Sequence, residues 1–262
     1  MYKALSLGWG VQSWTLAAMI ALGELEMIDA AIHSDTTYER ESTRAFRREW
    51  TPFLEAMGLQ VSTVSNLNAR GTLVAINGNQ TPLPAFTVMD GKQGQIRRQC
   101  TGEWKIGPIK RFLQAHRNKQ QVELWMGISF DEFHRAKAAD VKYITHRYPL
   151  LEMRMSRQDC LDWLEVHDLP SPGKSSCVFC PFANKAAWED MKRRGGEDWQ
   201  VAVDVDAQIR DLRPPGQLFV HRNRVPLEQA VIVPEWEKLP DPIELLASDD
   251  GDAECDSGYC FL

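Results

Sequence analysis

The sequence has no apolar run approaching the roughly 18 residues that a membrane-spanning helix needs. Its first residues also lack the basic segment and apolar stretch of a secretory leader. These absences point away from a membrane partner and toward a cytoplasmic location. There is no internal repeat, which excludes a solenoid or a propeller. A strong charge bias is missing as well. The net charge is −6, but nine of the 36 acids and only one of the 30 bases lie from Glu235 onward. The body is therefore slightly basic and the tail strongly acidic. Such a body is compatible with a nucleotide or nucleic-acid ligand without requiring either. Six cysteines in a cytoplasmic chain point to metal or redox chemistry rather than to a disulfide framework.

At 262 residues and 44% hydrophobic content, the chain can bury one good core with a small appended part. Lys3–Leu7 reads as a buried strand, Trp14–Leu22 as a helix, and Ala30–His33 as a second strand. Glu41–Met57 is an amphipathic helix closed by Gly58, and Val61–Val64 a third strand. Residues 66–96 are rich in Asn, Gly, Gln and Pro without a sustained period and read as an excursion or lid. A helix over Lys105–His116 carries Pro108 in its first turn, and Val122–Ile128 is a strong strand. Strands alternating with helices predict an α/β fold with a doubly wound, mostly parallel sheet over 1–150. Residues 151–238 read as a mainly helical, cysteine-containing part on the same core. It begins with the capping-box-like Ser156–Asp159 and runs on through helices near Lys185–Arg194 and Asp198–Leu212. Phe219–Arg224 and Pro226–Val233 form a small ornament, and 239–262 a mobile acidic tail.

The first strand-to-helix turn, Ser6-Leu-Gly-Trp-Gly-Val-Gln-Ser13, is suited to an anion. Gly8 and Gly10 let the backbone approach a ligand, Ser6 and Ser13 offer hydroxyl donors, and a helix beginning near Ser13 points free N–H groups at the same spot. Asp35 and Thr36 end the next strand on the same edge. Asp35 repels a phosphate, so its role is a hydrogen bond to ribose or adenine, or orientation of the loop. Among the bases, Arg98 and Lys105 flank Cys100, while Arg135 and Lys137 follow the strand end at Ser129–Glu132. These four are the candidates to neutralise a sulfate or phosphate. Asp131-Glu132 is either an acid/base pair or a polar turn. His134, His146 and His221 have no partner visible from spacing. The tryptophans read as core, with Trp9 also placed to cover a base.

Cys177-x-x-Cys180 puts two thiolates on one turn, the half-site of a zinc ion or an iron–sulfur cluster. Cys100 and Cys160 are the other body cysteines available to complete it, or are small buried residues. Cys160 lies in the first turn of its helix, where the dipole favours a thiolate. On ligand type alone, zinc and [4Fe–4S] are equally suited.

These residues together resemble the phosphoadenosine phosphosulfate (PAPS) reductase family of the PP-loop superfamily. The opening loop, Ser34-Asp-Thr-Thr-Tyr38 with Glu41, Arg98-Gln-Cys-Thr101 with Lys105 and Pro108, and Gly127-Ile-Ser-Phe-Asp-Glu132 carry the likeness. Tyr148-Pro-Leu150, Lys174-Ser-Ser-Cys-Val-Phe-Cys-Pro-Phe182 and Glu254-Cys-Asp-Ser-Gly-Tyr-Cys260 complete it. The branch is one common in bacteria and phages. The resemblance implies an α-hydrolase-like nucleotide fold and an adenine nucleotide (PAPS, adenylyl sulfate or ATP) at Ser6, Gly8, Gly10, Gln12 and Ser13. With Pro181 it tilts the cysteine site toward a [4Fe–4S] cluster on Cys100, Cys160, Cys177 and Cys180, zinc being the alternative. It also implies a swinging redox pair in Cys255 and Cys260, re-reduced by thioredoxin or glutaredoxin. Two features depart from the family pattern. The loop has Gln12 about where ATP-hydrolysing relatives carry Asp, and the tail has a second cysteine after Glu254-Cys255. The implied activity is reduction of a sulfated adenine nucleotide. ATP-dependent sulfur transfer or modification of nucleic acid, and a non-catalytic nucleotide-sensing module, are the alternatives.

Overall fold

A computed structural model describes residues 1–66, 83–97 and 99–233. They fall into two compact units: 1–66 with 101–175, and 83–97, 99 and 100 with 176–233. The acidic tail, with Cys255 and Cys260, and Arg98 lie outside the described residues.

The first unit is built on β1 (Tyr2–Ser6), α1 (Val11–Ala21), β2 (Ala30–Asp35), α2 (Glu41–Ala56) and β3 (Val61–Ser65). All pairings in its five-stranded sheet are parallel, in the order β3-β2-β1-β6-β7. Every residue of α1 is buried, so this helix has no solvent face. Trp14 sits at its centre, with Trp50, Phe46 and Phe53 of α2 packed edge-on or tilted against it at 5.3–6.3 Å. Helix α2 ends at Gly58, whose φ of +93° is the left-handed stop expected of it.

The second unit contains β4 (Phe86–Met89) and β5 (Lys92–Gln95), joined through Asp90-Gly91 with φ of +49° and +72°. That dipeptide is the type I′ signal for a two-residue hairpin. Residues 86–95 are thus paired sheet, where composition suggested an excursion.

Back in the first unit, a π-helical stretch over Thr101–Ile106 precedes α3 (Gly107–His116). Such windings are rare. Side chains hold this one, Ser34 donating to the Trp104 carbonyl (2.7 Å) and Asn66 to that of Glu103 (2.9 Å). Strands β6 (Val122–Met126) and β7 (Ile144–Arg147) follow, separated by a 3₁₀ segment over Phe130–Arg135. Strand β7 gave no sequence signal. It lies at the sheet edge, and only Ile144 of its four residues is buried. A short α4 (Pro149–Glu152) leads to α5 (Arg157–Val166), which opens with the expected capping box of Ser156 and Asp159.

Residues 151–175 belong to this first unit because α5 packs Cys160 and Leu164 into the apolar cluster around α1. A second apolar cluster fills the opposite sheet face with Ile109 and Leu113 of α3 against Ile32, Leu124 and Ile144. Helices on both faces make the fold doubly wound α/β.

The second unit continues with α6 (Lys185–Arg194), α7 (Gly196–Ile209), β8 (Gln217–Phe219) and α8 (Leu227–Ala230). Strand β8 joins the hairpin in a sheet of order β5-β4-β8. The part expected to be mainly helical therefore carries its own antiparallel sheet. Its organising group is Asp206, buried on α7, which accepts from the amides of Val220 (2.8 Å) and Leu227 (2.9 Å) and from the Arg210 guanidinium. Among the described residues no helix is long and apolar enough to cross a membrane.

Candidate nucleotide site

The strand order reverses between β1 and β6, and in open α/β sheets the crevice at the carboxyl ends of such strands takes the ligand. Three segments end there: Leu7–Ser13 after β1, Thr36–Glu39 after β2, and Gly127–Ser129 after β6.

Helix α1 starts at Val11, two residues earlier than Ser13. Its N-cap is Gly10, no side chain caps it, and its first turn carries no acid. The helix start thus keeps its positive end and its N–H groups without a built-in anion. Ser13 bonds within the loop instead, accepting from Gly8 N (3.2 Å) and donating to the Gly10 carbonyl (3.2 Å). Ser175 donates to the Gly8 carbonyl at 2.6 Å, tying the segment before the Cys-x-x-Cys turn to the loop. Ser6 ends β1 with a buried hydroxyl that has no hydrogen-bond partner among the described residues.

The glycine that sterics demand here is Gly127, which composition did not single out. A Cβ on it would sit 2.8 Å from the Ser13 amide nitrogen and 3.0 Å from its Cα. At Gly8 the same atom would find nothing nearer than 3.9 Å. A glycine directly after a buried strand was the available signal. Two residues on, Ser129 accepts from the Gln12 amide at 3.4 Å, joining the β1 and β6 ends through buried side chains.

Asp35 accepts from the Thr37 amide at 2.7 Å and from Arg47 at 3.1 Å. Burial pushes its carboxyl up, but the Thr37 amide and the Arg47 guanidinium outweigh this and hold it below the ordinary value. Thr36 beside it is buried. His33, fully buried in β2, has Nδ1 3.2 Å from the Leu7 carbonyl. A carbonyl only accepts, so Nδ1 carries a proton, and Nε2 faces Glu39 at 3.3 Å. This His–Glu pair beneath the loop has no local sequence signature, because its members belong to a strand and to the turn after it.

The candidate cations occupy different settings. Arg135 is only 2% exposed and stands 2.9 Å from Glu132, so its charge is spent inside the 3₁₀ segment. Lys105 lies in the π-helical stretch. Lys137 is exposed, and with His146 and the Lys110–Asp140 pair it lines a cavity of about 220 Å³ over Leu124 and Ile109. His146 also has partners, in the Lys137 carbonyl (2.9 Å) and the Tyr148 hydroxyl (3.4 Å). Asp131 accepts from the Arg157 amide at 3.0 Å. Each member of the Asp131-Glu132 pair is therefore engaged structurally. Trp9 is fully buried against Trp14 and Phe46, which removes it as a cover for a base.

Cys177 and Cys180 bracket a tight turn, with the Cys180 amide on the Cys177 carbonyl at 3.1 Å. They belong to the second unit, as does Cys100. Cys160 belongs to the first, buried in the core cluster. Burial pushes its thiol up to about 12, and the Thr15 hydroxyl offsets this only in part. The turn cysteines fit a soft metal by donor chemistry; Cys160 as placed is a core side chain. Among the described residues no three His, Cys, Asp or Glu side chains are arranged to hold a metal ion.

No protein-family model matches the sequence, and no curated protein is significantly similar to it. Among solved structures, a PAPS reductase from Candida auris in complex with phosphate is 10% identical. The match covers 66% of this chain and 75% of that one, with a TM-score of 0.42. The U34-tRNA thiolase NcsA from Methanococcus maripaludis, with its [4Fe–4S] cluster, is 15% identical, covering 81% of this chain and 72% of that one with a TM-score of 0.44. Likenesses this distant say nothing of the reaction. The resemblance to the PAPS-reductase-like branch of the PP-loop superfamily rests on the sequence motifs at the strand ends.

Proposed function

We propose that this chain is an enzyme that binds an adenine nucleotide at the β1–α1 turn and performs sulfur redox chemistry on it. The observation that carries this reading is the start of α1: an uncapped helix N-terminus with no acid in its first turn, at the strand-order reversal, pressed against Gly127. Loop amides after Gly8 and the Ser6 hydroxyl hold the anionic group, Ser13 braces the loop through Gly8 and Gly10, and Gln12 with Ser129 closes the crevice floor. Asp35 and Thr36 orient the neighbouring turn.

Under this reading the tail thiols of Cys255 and Cys260 act in sequence. One thiolate displaces the nucleotide from the sulfonate sulfur, and the second attacks that cysteine. Sulfite leaves, a disulfide remains, and thioredoxin or glutaredoxin reduces it. Cys177 and Cys180, with Cys100 from the same unit, are the residues we assign to a [4Fe–4S] cluster, with zinc as the alternative. A cluster so held would supply an electron-transfer centre.

A second reading, nucleotide-driven sulfur transfer or modification of nucleic acid, is favoured by one observation. Two phenylalanine rings stand exposed beside the crevice at Phe130 and Phe133.

Calorimetric titration with ATP, adenylyl sulfate and PAPS tests the nucleotide site. Binding lost in Gly127→Ala and reduced in Ser13→Ala is expected; no binding of any of the three would sink it. Thiol-dependent sulfite release from PAPS, abolished by Cys260→Ser or Cys255→Ser, separates the first reading from the second. Anaerobic purification with iron, sulfide and zinc analysis decides the metal.

A further inference from the structure

Parallel strands joined by a crossover ordinarily have both faces covered, because the crossover carries a helix that packs on one of them. The connection from β6 to β7 carries no α-helix. Its one regular element is the 3₁₀ segment Phe130–Arg135, after which residues 136–143 run on without helix or strand. The small side chains of Ala138 and Ala139 stand where a helix would put bulk. A hollow of about 220 Å³ is left over Leu124 and Ile144, walled by Ile106 and Ile109. It lies with α3 on the sheet face away from α1. This is room for roughly seven waters at liquid density, or for one compact organic molecule.

The rest of the wall is charged. Lys110 puts its ammonium on both oxygens of Asp140, at 2.5 and 2.7 Å. That hydrogen bond outweighs the cost of burial and holds the Asp140 carboxyl below its ordinary value, so this pair is spent on itself. Asp140 is the single carboxylate on the wall among the described residues, and Lys137 lines the same hollow without one. The Lys137 backbone is clamped. The Tyr148 hydroxyl accepts from its amide (2.9 Å) and donates to its carbonyl (2.5 Å), and His146 Nδ1 donates to that carbonyl at 2.9 Å.

Lys110, Lys137 and Asp140 sum to one positive charge beside an apolar floor. A sulfate or phosphate dianion exceeds that charge and gains nothing from the floor. A neutral ring gains from the floor and leaves the Lys137 ammonium unanswered. A monoanion with a compact apolar body satisfies both. We propose that this hollow binds a small amphipathic carboxylate, with its apolar body on Ile109, Leu124 and Ile144 and its carboxylate on Lys137. The site shares neither residues nor sheet face with the β1–α1 turn.

The test is saturation-transfer NMR, with two-dimensional amide spectra, using benzoate as the probe and benzamide as its neutral isostere. Benzoate binds saturably, about tenfold or more tighter than benzamide, and shifts the amides of residues 137–140 and 144–146. Lys137→Met keeps the apolar stem, removes the charge and brings benzoate down to the benzamide level. Ala139→Leu fills the hollow and weakens both probes by about tenfold or more, with the circular dichroism spectrum unchanged. Should that variant fail to fold, Lys137→Met decides the matter alone.

Absence of saturable binding overturns the proposal, as does benzamide bound as tightly as benzoate. Benzoate binding that survives both variants lies elsewhere and overturns it too. Saturating ATP, adenylyl sulfate or PAPS is expected to leave benzoate bound; displacement would assign the hollow to the nucleotide and overturn it as a separate site. Benzoate binding without any nucleotide binding leaves this site standing and sinks the β1–α1 reading instead.

Discussion

Both units bury apolar side chains, but the second also gathers its segments on one buried carboxylate. In the first, the sheet is sandwiched between two apolar clusters, and its central helix is buried on every side. In the second, a single buried carboxylate, Asp206, collects two backbone amides and a guanidinium from three different segments. Apolar burial is spread over many contacts and tolerates the loss of one. A buried carboxylate concentrates its effect, because removing it leaves three donors without an acceptor at once. The first unit can therefore hold a site made of backbone. The second, with Trp188, Val205, Ile209, Leu218 and Leu227 also buried, concentrates three donors on one side chain.

The comparison breaks most visibly at that side chain. Asp206→Ala is expected to destabilise the second unit by about 3–5 kcal/mol. Hydrogen exchange should lose protection at the Val220 and Leu227 amides while amides of β1 and β6 keep theirs. Equal loss in both places would show that the contrast is false.

Thiol reactivity sharpens it next. With its thiol at about 12 and its side chain in the apolar cluster, Cys160 is expected to resist alkylation at neutral pH. Half-buried Cys100 and Cys177 should be modified before it in metal-free protein. Rapid labelling of Cys160 in native protein would contradict its place in the core.

Within the first unit, Gly127→Ala should cost roughly 1–3 kcal/mol, because its Cβ meets backbone that cannot turn aside. Gly8→Ala, with open space around it, should leave the melting temperature within about a degree or two. If the two variants melt alike, the close approach of the β6 end to α1 is not real.

The smallest effect lies in acid sensitivity. His221 in the second unit is held below its ordinary 6.5, first by burial and then by Arg222, and its Nδ1 accepts from the Asn223 amide. The unfolded chain takes up this proton sooner, so the contribution is full above pH 6.5 and declines as pH falls from there toward the folded value. In the first unit, Asp35 sits below its ordinary 3.8, so its contribution is intact above that value and is lost only at lower pH. Between pH 6.5 and 5, His221→Gln should flatten the stability profile and Asp35→Asn should not.

Much of the fold was legible in local patterns. The apolar runs of β1, β2 and β6 and the amphipathic α2 announce themselves because buried strands and half-buried helices impose a period on the residues that form them. Gly58 and the Ser156–Asp159 box mark their boundaries for equally local reasons. The hairpin at Asp90-Gly91 was legible too, but its polar flanks Lys92-Gln-Gly-Gln95 hid it, since an exposed strand carries no apolar signal.

For the site, the sequence determined the donors: a glycine- and serine-bearing turn, a second strand ending in Asp35-Thr36, and a two-thiol turn at Cys177-x-x-Cys180. Only the tertiary structure decided which of them have free capacity. It gave Asp35 to Arg47 and Thr37, buried Arg135 against Glu132, enclosed Trp9 and Cys160 in the core, and left Phe130 and Phe133 in water. The reason is physical. A residue type fixes what a side chain can bond, a property of one position. Whether that capacity is already used depends on neighbours that only the closed sheet brings within reach, as Gly127 and Ser13, 114 positions apart, are brought so close that a Cβ on Gly127 would lie 2.8 Å from the Ser13 amide nitrogen.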